Sequence, residues 1–148
     1  MPRSITSLTL DDAKRMLVAG ETAAAATGLA YNIAVVDAGG NLIAFARQDG
    51  ALIGSIDLAI GKARTARLFD KTTAELARLA RPGGPLFGIE QSDEGRVVIF
   101  GGGLPVLIDG VVAGAVGTSA GSIEQDVAVA QAAVAAISVD SRTKGPSS

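Results

Sequence analysis

The 148-residue chain contains no cysteine, no histidine and no tryptophan. Without cysteine it has no disulfide framework, no thiolate nucleophile and no thiolate haem ligand. Without histidine it lacks zinc-finger spacings, Ser-His-Asp triads and every imidazole general base. Aromatics are scarce as well, being Tyr31 and four Phe. Thirteen Lys plus Arg against 15 Asp plus Glu leave a formal charge of −2, which gives nucleic acid no basic face to meet. No apolar run approaches the ~20 residues of a bilayer span. The first ten residues carry neither an apolar core nor a small-residue cleavage site. These features predict a soluble cytoplasmic protein without a metal site and without a nucleic-acid or membrane partner. Any chemistry must come from carboxylates, Lys, Arg, Ser, Thr, Tyr31 or backbone amides.

What is abundant is small. Nineteen Gly and 27 Ala sit in a chain that is 48% hydrophobic, enough for one core of ordinary size and for close backbone packing. A first helix is expected from about Leu10 to Thr27, capped by Thr9 with Asp12 three residues on and ended by Gly28. Tyr31–Asp37 and Leu42–Arg47 read as two strands around a Gly-Gly-Asn turn. A second helix fits Ser55 to Asp70 with Ser55 as cap. A shorter one, capped by Thr72 or Thr73, stops before Pro82-Gly83-Gly84-Pro85.

Residues 86–95 read as loop, followed by strands at Val97–Phe100, Leu104–Ile108 and Val111–Thr118. Asp109-Gly110 is a two-residue hairpin signal, and Pro105 demotes its strand toward an edge. The last helix starts at Ser122 with Gln125 completing a capping box. The order α-β-β-α-α-β-β-β-α predicts an α+β fold: a single-layer antiparallel sheet of about five strands flanked by helices, profilin-like in arrangement. One domain, residues 9–138, is expected between an N-terminal extension, 1–8, and a flexible tail, 139–148.

Three constellations can carry chemistry. Gly101-Gly102-Gly103 follows a strand, where successive amides can converge on an anion, or where a corner simply admits nothing but glycine. Gly117 to Asp126 runs through a polar loop into a helix N-terminus, with Thr118, Ser119 and Ser122 as hydroxyls. Glu124 and Asp126 in its first turn serve the helix dipole equally well. On the second helix, Leu58, Lys62, Thr65 and Phe69 form a face distinct from Ile56, Ala59, Ile60 and Ala63. That face suits a carboxylate-bearing ligand with an apolar body, or a subunit contact over which Lys62 snorkels. Arg64 and Arg67 lie to the side as solvated charges or ion pairs.

The runs Ala59-Ile-Gly-Lys-Ala-Arg-Thr-Ala66 with Phe69, Phe100-Gly-Gly-Gly-Leu-Pro105, and Gly114 to Asp126 together resemble the GlcG/HbpS family of haem-degrading or haem-binding domains. That family includes the C-terminal domain of PduO proteins. The resemblance covers roughly Leu8 to Ile137. It implies an antiparallel sheet flanked by helices and a homo-oligomeric domain, octameric in many members. It also implies a tie to haem or corrinoid-related binding, or to catabolic operons such as glycolate use. By motif, Lys62, Thr65 and Phe69 match the helix signature, Gly102, Gly103 and Pro105 the glycine signature, and Thr118, Glu124 and Asp126 the last one. Haem is the cofactor so implied; conventional axial ligation finds only Met1, Met16 and Tyr31 in this chain, and Lys62, Arg64 and Arg67 are the candidates to meet its propionates.

The leading expectation is a binding domain for haem or another anionic, partly apolar small molecule. Its pocket would combine Lys62, Thr65 and Phe69 with Gly101, Gly102, Gly103 and Thr118, within one chain or across a subunit boundary. The alternative is a metal-free enzyme acting on a small catabolic acid or carbonyl compound, by lyase-, isomerase- or hydrolase-like chemistry. In that case Glu124 or Asp126 is the acid/base and Lys62 the substrate clamp. A third reading treats the Ala and Gly surfaces as oligomer contacts alone.

Overall fold

A computed structural model describes the backbone of residues 1–143 and side-chain environments as far as Ile137. Its elements are α1 (Leu10–Thr27), β1 (Asn32–Val36), β2 (Leu42–Arg47), α2 (Gly54–Phe69), α3 (Thr73–Ala80), a 3-10 turn (Ile89–Gln91), the helical turn α4 (Ser92–Gly95), β3 (Gly103–Ile108), β4 (Val111–Ser119) and α5 (Ile123–Thr143). The strands form one sheet in the order β2-β1-β4-β3, with every neighbouring pair antiparallel. The fold is α+β, as the element order implies.

Strand periodicity splits the core. Ile33 and Val35 of β1 and Val116 of β4 point to one face, where Met16 and Ala24 of α1 and Val129, Ala130 and Ala133 of α5 cover them. Burying each such Val or Ile contributes ~1.5–3 kcal/mol. Ala34 and Val36 of β1 and Ala115 of β4 point the other way, onto Ala59, Ala63 and Ala66 of α2. The alanine face lets α2 lie almost on the sheet. A Cβ at Gly117 would overlap the backbone of both Ala59 and Ala63.

Local signals act where residue chemistry requires them. Thr9 and Asp12 form a reciprocal capping box on α1, and Gly28 ends that helix in the left-handed region. Ser122 and Gln125 exchange hydrogen bonds before α5, and Thr72 caps α3 by accepting from the Glu75 amide. Asp109 and Gly110, with φ 51° and 78°, turn β3 into β4. Pro105 lies on the edge strand β3. Leu8, at the end of the N-terminal extension, is buried and donates its amide to the Ala113 carbonyl at 2.9 Å. No described helix is long and apolar enough to cross a membrane.

Three expectations need correction. The β-rich run Val97–Phe100 is not a strand, so the sheet has four strands among the described residues rather than about five. Val98 instead donates its amide to Thr65 Oγ1 of α2 at 3.0 Å, which commits the segment to the helix. The expected loop 86–95 contains the 3-10 turn and α4, with Asp93 and Glu94 in left-handed geometry. Finally, α2 begins at Gly54, and Ser55 is a buried residue within it rather than its cap. Of the expected tail 139–148, residues 139–143 belong to α5, and 144–148 lie outside the described residues.

Candidate functional site

The sequence constellations meet at Lys62. Helical spacing aims this side chain inward at the end of β4, where Nζ donates to the Thr118 carbonyl at 2.9 Å and to Asp126 Oδ2 at 3.0 Å. Both partners of the ion pair are nearly sealed, with side chains 2% and 4% exposed. The other Asp126 oxygen accepts the amides of Ala120 at 3.1 Å and Gly121 at 2.9 Å. Thr118 Oγ1 donates to the Asp126 carbonyl at 2.6 Å. Three donors thus satisfy the Asp126 carboxylate, as a buried carboxylate requires, and a fourth holds its backbone.

Tyr31 closes the cluster from β1's entry. It is fully buried, and its hydroxyl makes no hydrogen bond of standard geometry. Burial first, then the nearby negative charge of Asp126, push its pKa above the usual tyrosine value. Gly102 caps the pair. At φ 124° it occupies backbone space where a Cβ would stand 2.6 Å from the Thr118 oxygen and 3.0 Å from Lys62 Nζ. The Gly102 carbonyl accepts the Thr118 amide at 3.0 Å, and the Gly103 amide donates to Thr73 Oγ1 at 2.8 Å. Gly101 is buried against Ile123 and Val127 of α5.

The structure therefore gathers Lys62, Gly102, Thr118 and Asp126 into one closed cluster, beside Gly101 and Gly103. Thr65 is buried one turn along α2, holding the Val98 amide. Phe69 is half-buried at the far end of that helix, and Glu124 is exposed on α5. Among the described residues no three His, Cys, Asp or Glu side chains are grouped to hold a metal ion.

An open groove of about 550 Å³ lies on a neighbouring face of α2, between the helix and residues 95–98. Leu58, Ile60 and Val98 give it apolar walls, and Arg64 and Arg96 place cations on it. Gly61 makes the close approach: a Cβ there would sit 2.6 Å from Val98 Cγ2. Asp57, Gly61 and Arg64 are spaced i, i+4, i+7 and share one helix face, a pattern legible in the sequence that the Lys62 stripe overshadowed. Arg64 is 28% exposed and forms a fork with Asp93, Nε to Oδ2 at 3.0 Å and Nη2 to Oδ1 at 3.1 Å. Hydrogen bonding and charge from Asp93 raise the Arg64 pKa, and the same fork lowers that of Asp93.

Comparison with known proteins agrees with this architecture. The family model described as "Haem degrading protein HbpS-like" matches residues 8–135. An uncharacterised 15.0 kDa protein of Citrobacter freundii, from the dhaT-dhaS intergenic region, is 40% identical over 132 residues, covering 89% of this chain and 93% of that one. The crystal structure of ORFY from Klebsiella pneumoniae superposes with a TM-score of 0.90 at 37% identity, over 93% of this chain and 94% of that one. A PduOC:heme complex superposes with a TM-score of 0.83 at 37% identity, over 87% and 94% of the two chains. With one family's model spanning nearly the whole fold and similar solved structures superposing over most of the chain, the chain belongs to the GlcG/HbpS family.

Proposed function

We propose that the chain is a small-molecule-binding domain for an anionic, partly apolar ligand, seated in the groove between α2 and residues 95–98. One observation carries this reading: Arg64 stands beside the apolar walls of Leu58, Ile60 and Val98 in a concavity of ligand size. Lys62, the cation the sequence pattern favours, is sealed against Asp126 and offers a ligand nothing without rearrangement. The Lys62–Asp126 cluster instead supports the groove from behind by fixing α2 to β4 and α5.

A relative crystallised as a heme complex makes a porphyrin the natural first probe. The porphyrin's carboxylates and apolar face match the groove, but its iron does not. The chain has no His or Cys, Met16 and Tyr31 are buried in the core, and the groove's own side chains include no Met or Tyr. The acid/base alternative draws less support, because Glu124 stands in solvent and Asp126 is fully engaged by Lys62 and two amides.

Titration of the full chain with haemin at micromolar protein, read by absorbance, tests the proposal. Saturable binding is expected, weakened about tenfold or more in Arg64→Ala, the effect of losing a charge-assisted hydrogen bond. No saturable change in the natural chain, or equal affinity in Arg64→Ala, removes the reading.

A further inference from the structure

The groove's principal cation is already engaged by a carboxylate of the same chain. Asp93 fills the Arg64 fork with both oxygens, and Arg96 Nη2 adds a third contact to Asp93 Oδ1 at 3.0 Å. Two arginines on the groove thus share one tethered carboxylate. Such a planar, two-oxygen contact is the geometry an incoming carboxylic acid would itself need.

The segment presenting Asp93 is held out of its relaxed conformation. Asp93 and Glu94 have φ 52° and 57°, two consecutive non-glycine residues in left-handed geometry, before Gly95 at 75°. Glu94 is fully outside the core, and no residue of the 92–95 turn is buried. The anchor lies just beyond it. Val97 is buried, and Val98 is bonded to Thr65. A fixed end next to a strained, exposed turn is what allows the turn to leave without unfolding the sheet.

We infer that Asp93 is a built-in surrogate for the ligand's carboxylate, so that binding exchanges one carboxylate for another on Arg64 and releases the 92–95 turn. This rests on the groove being the ligand site. The exchange makes the groove selective. A ligand lacking a carboxylate gains nothing from displacing Asp93, whereas a carboxylic acid inherits the complete fork. The internal contact lowers apparent affinity by the fraction of molecules in which Arg64 is occupied.

Metal-free protoporphyrin IX and its dimethyl ester, titrated by fluorescence against the natural chain, Asp93→Asn and Arg64→Ala, separate the outcomes. The free acid is expected to bind Asp93→Asn more tightly, by about tenfold if Asp93 occupies Arg64 nine-tenths of the time. The ester is expected to bind both chains alike. If Arg64→Ala weakens the acid but Asp93→Asn leaves it unchanged or weaker, the groove stands and the exchange is overturned. If the natural chain and Asp93→Asn both fail to bind the acid, the groove reading falls and the exchange with it. Hydrogen exchange on the natural chain gives a second readout that needs no variant. Amides 92–96 are expected to exchange faster with protoporphyrin bound, and slower exchange there contradicts release.

Discussion

Lys62 Nζ stands 3.0 Å from Asp126 Oδ2 across 64 residues of sequence, with both side chains all but closed to solvent. Taking two charges out of water is costly, and only a complete set of partners offsets it. Here the Thr118 carbonyl and two amides complete the set. The pair joins α2, β4 and α5 at one point, so its worth lies in specifying how those elements meet.

Removing one partner leaves the other charged, buried and unmatched. Lys62→Met or Asp126→Leu alone is expected to cost about 3–5 kcal/mol in denaturant unfolding. The double variant is expected to cost far less than the sum, because it removes both charges together. Strict additivity of the two single losses would show that the pair is not coupled as the distances imply.

Gly102 carries a second structural commitment. Its φ of 124° excludes ordinary side chains, and a Cβ would crowd Thr118 O and Lys62 Nζ. Gly102→Ala is expected to destabilise by more than ~1 kcal/mol through strain and contact. Gly54→Ala, with nothing within 4 Å of the added carbon, is expected to be near neutral or stabilising. Equal melting temperatures for the two variants would refute the crowding at Gly102.

Tyr31 links stability to alkaline pH. Its folded-state pKa is raised, by burial first and by Asp126 second, from an ordinary value of 10.0. Above that pH the unfolded chain releases the phenolic proton while the folded chain keeps it. The stability Tyr31 contributes is therefore intact below about pH 10 and declines as pH rises, by up to ~1.4 kcal/mol per unit. Tyr31→Phe should flatten that part of the unfolding profile between pH 9 and 11. An unchanged alkaline slope in the variant contradicts the assignment.

Much of this architecture is legible in local chemistry. Thr9 with Asp12, Ser122 with Gln125 and Asp109-Gly110 each declare an element boundary through partners at most three residues away. The glycine run and Lys62 are recognisable as a family signature, but spacing alone does not say that Lys62 points inward. Its partner is 64 residues distant, and helical periodicity places Lys62 as readily beside a ligand as beneath a sheet. Val97–Phe100 misleads for a related reason. Its composition favours a strand, but Thr65 on α2 takes the Val98 amide, and that tertiary bond overrides propensity. The groove is hidden because Arg64 reads either as a surface charge or as one of three cations open to a propionate, and only Asp93 and Val98 brought against it give it a place.

Chemical-shift mapping of the isotopically labelled chain with protoporphyrin IX tests the central claim most directly. A ligand in the groove is expected to shift the amides of Gly61, Arg64, Arg96 and Val98 most strongly, leaving the Lys62–Asp126 cluster changed only at second hand. Largest shifts centred on Phe69, α1 or the exposed face of α5, or no shifts at all at millimolar ligand, would contradict it.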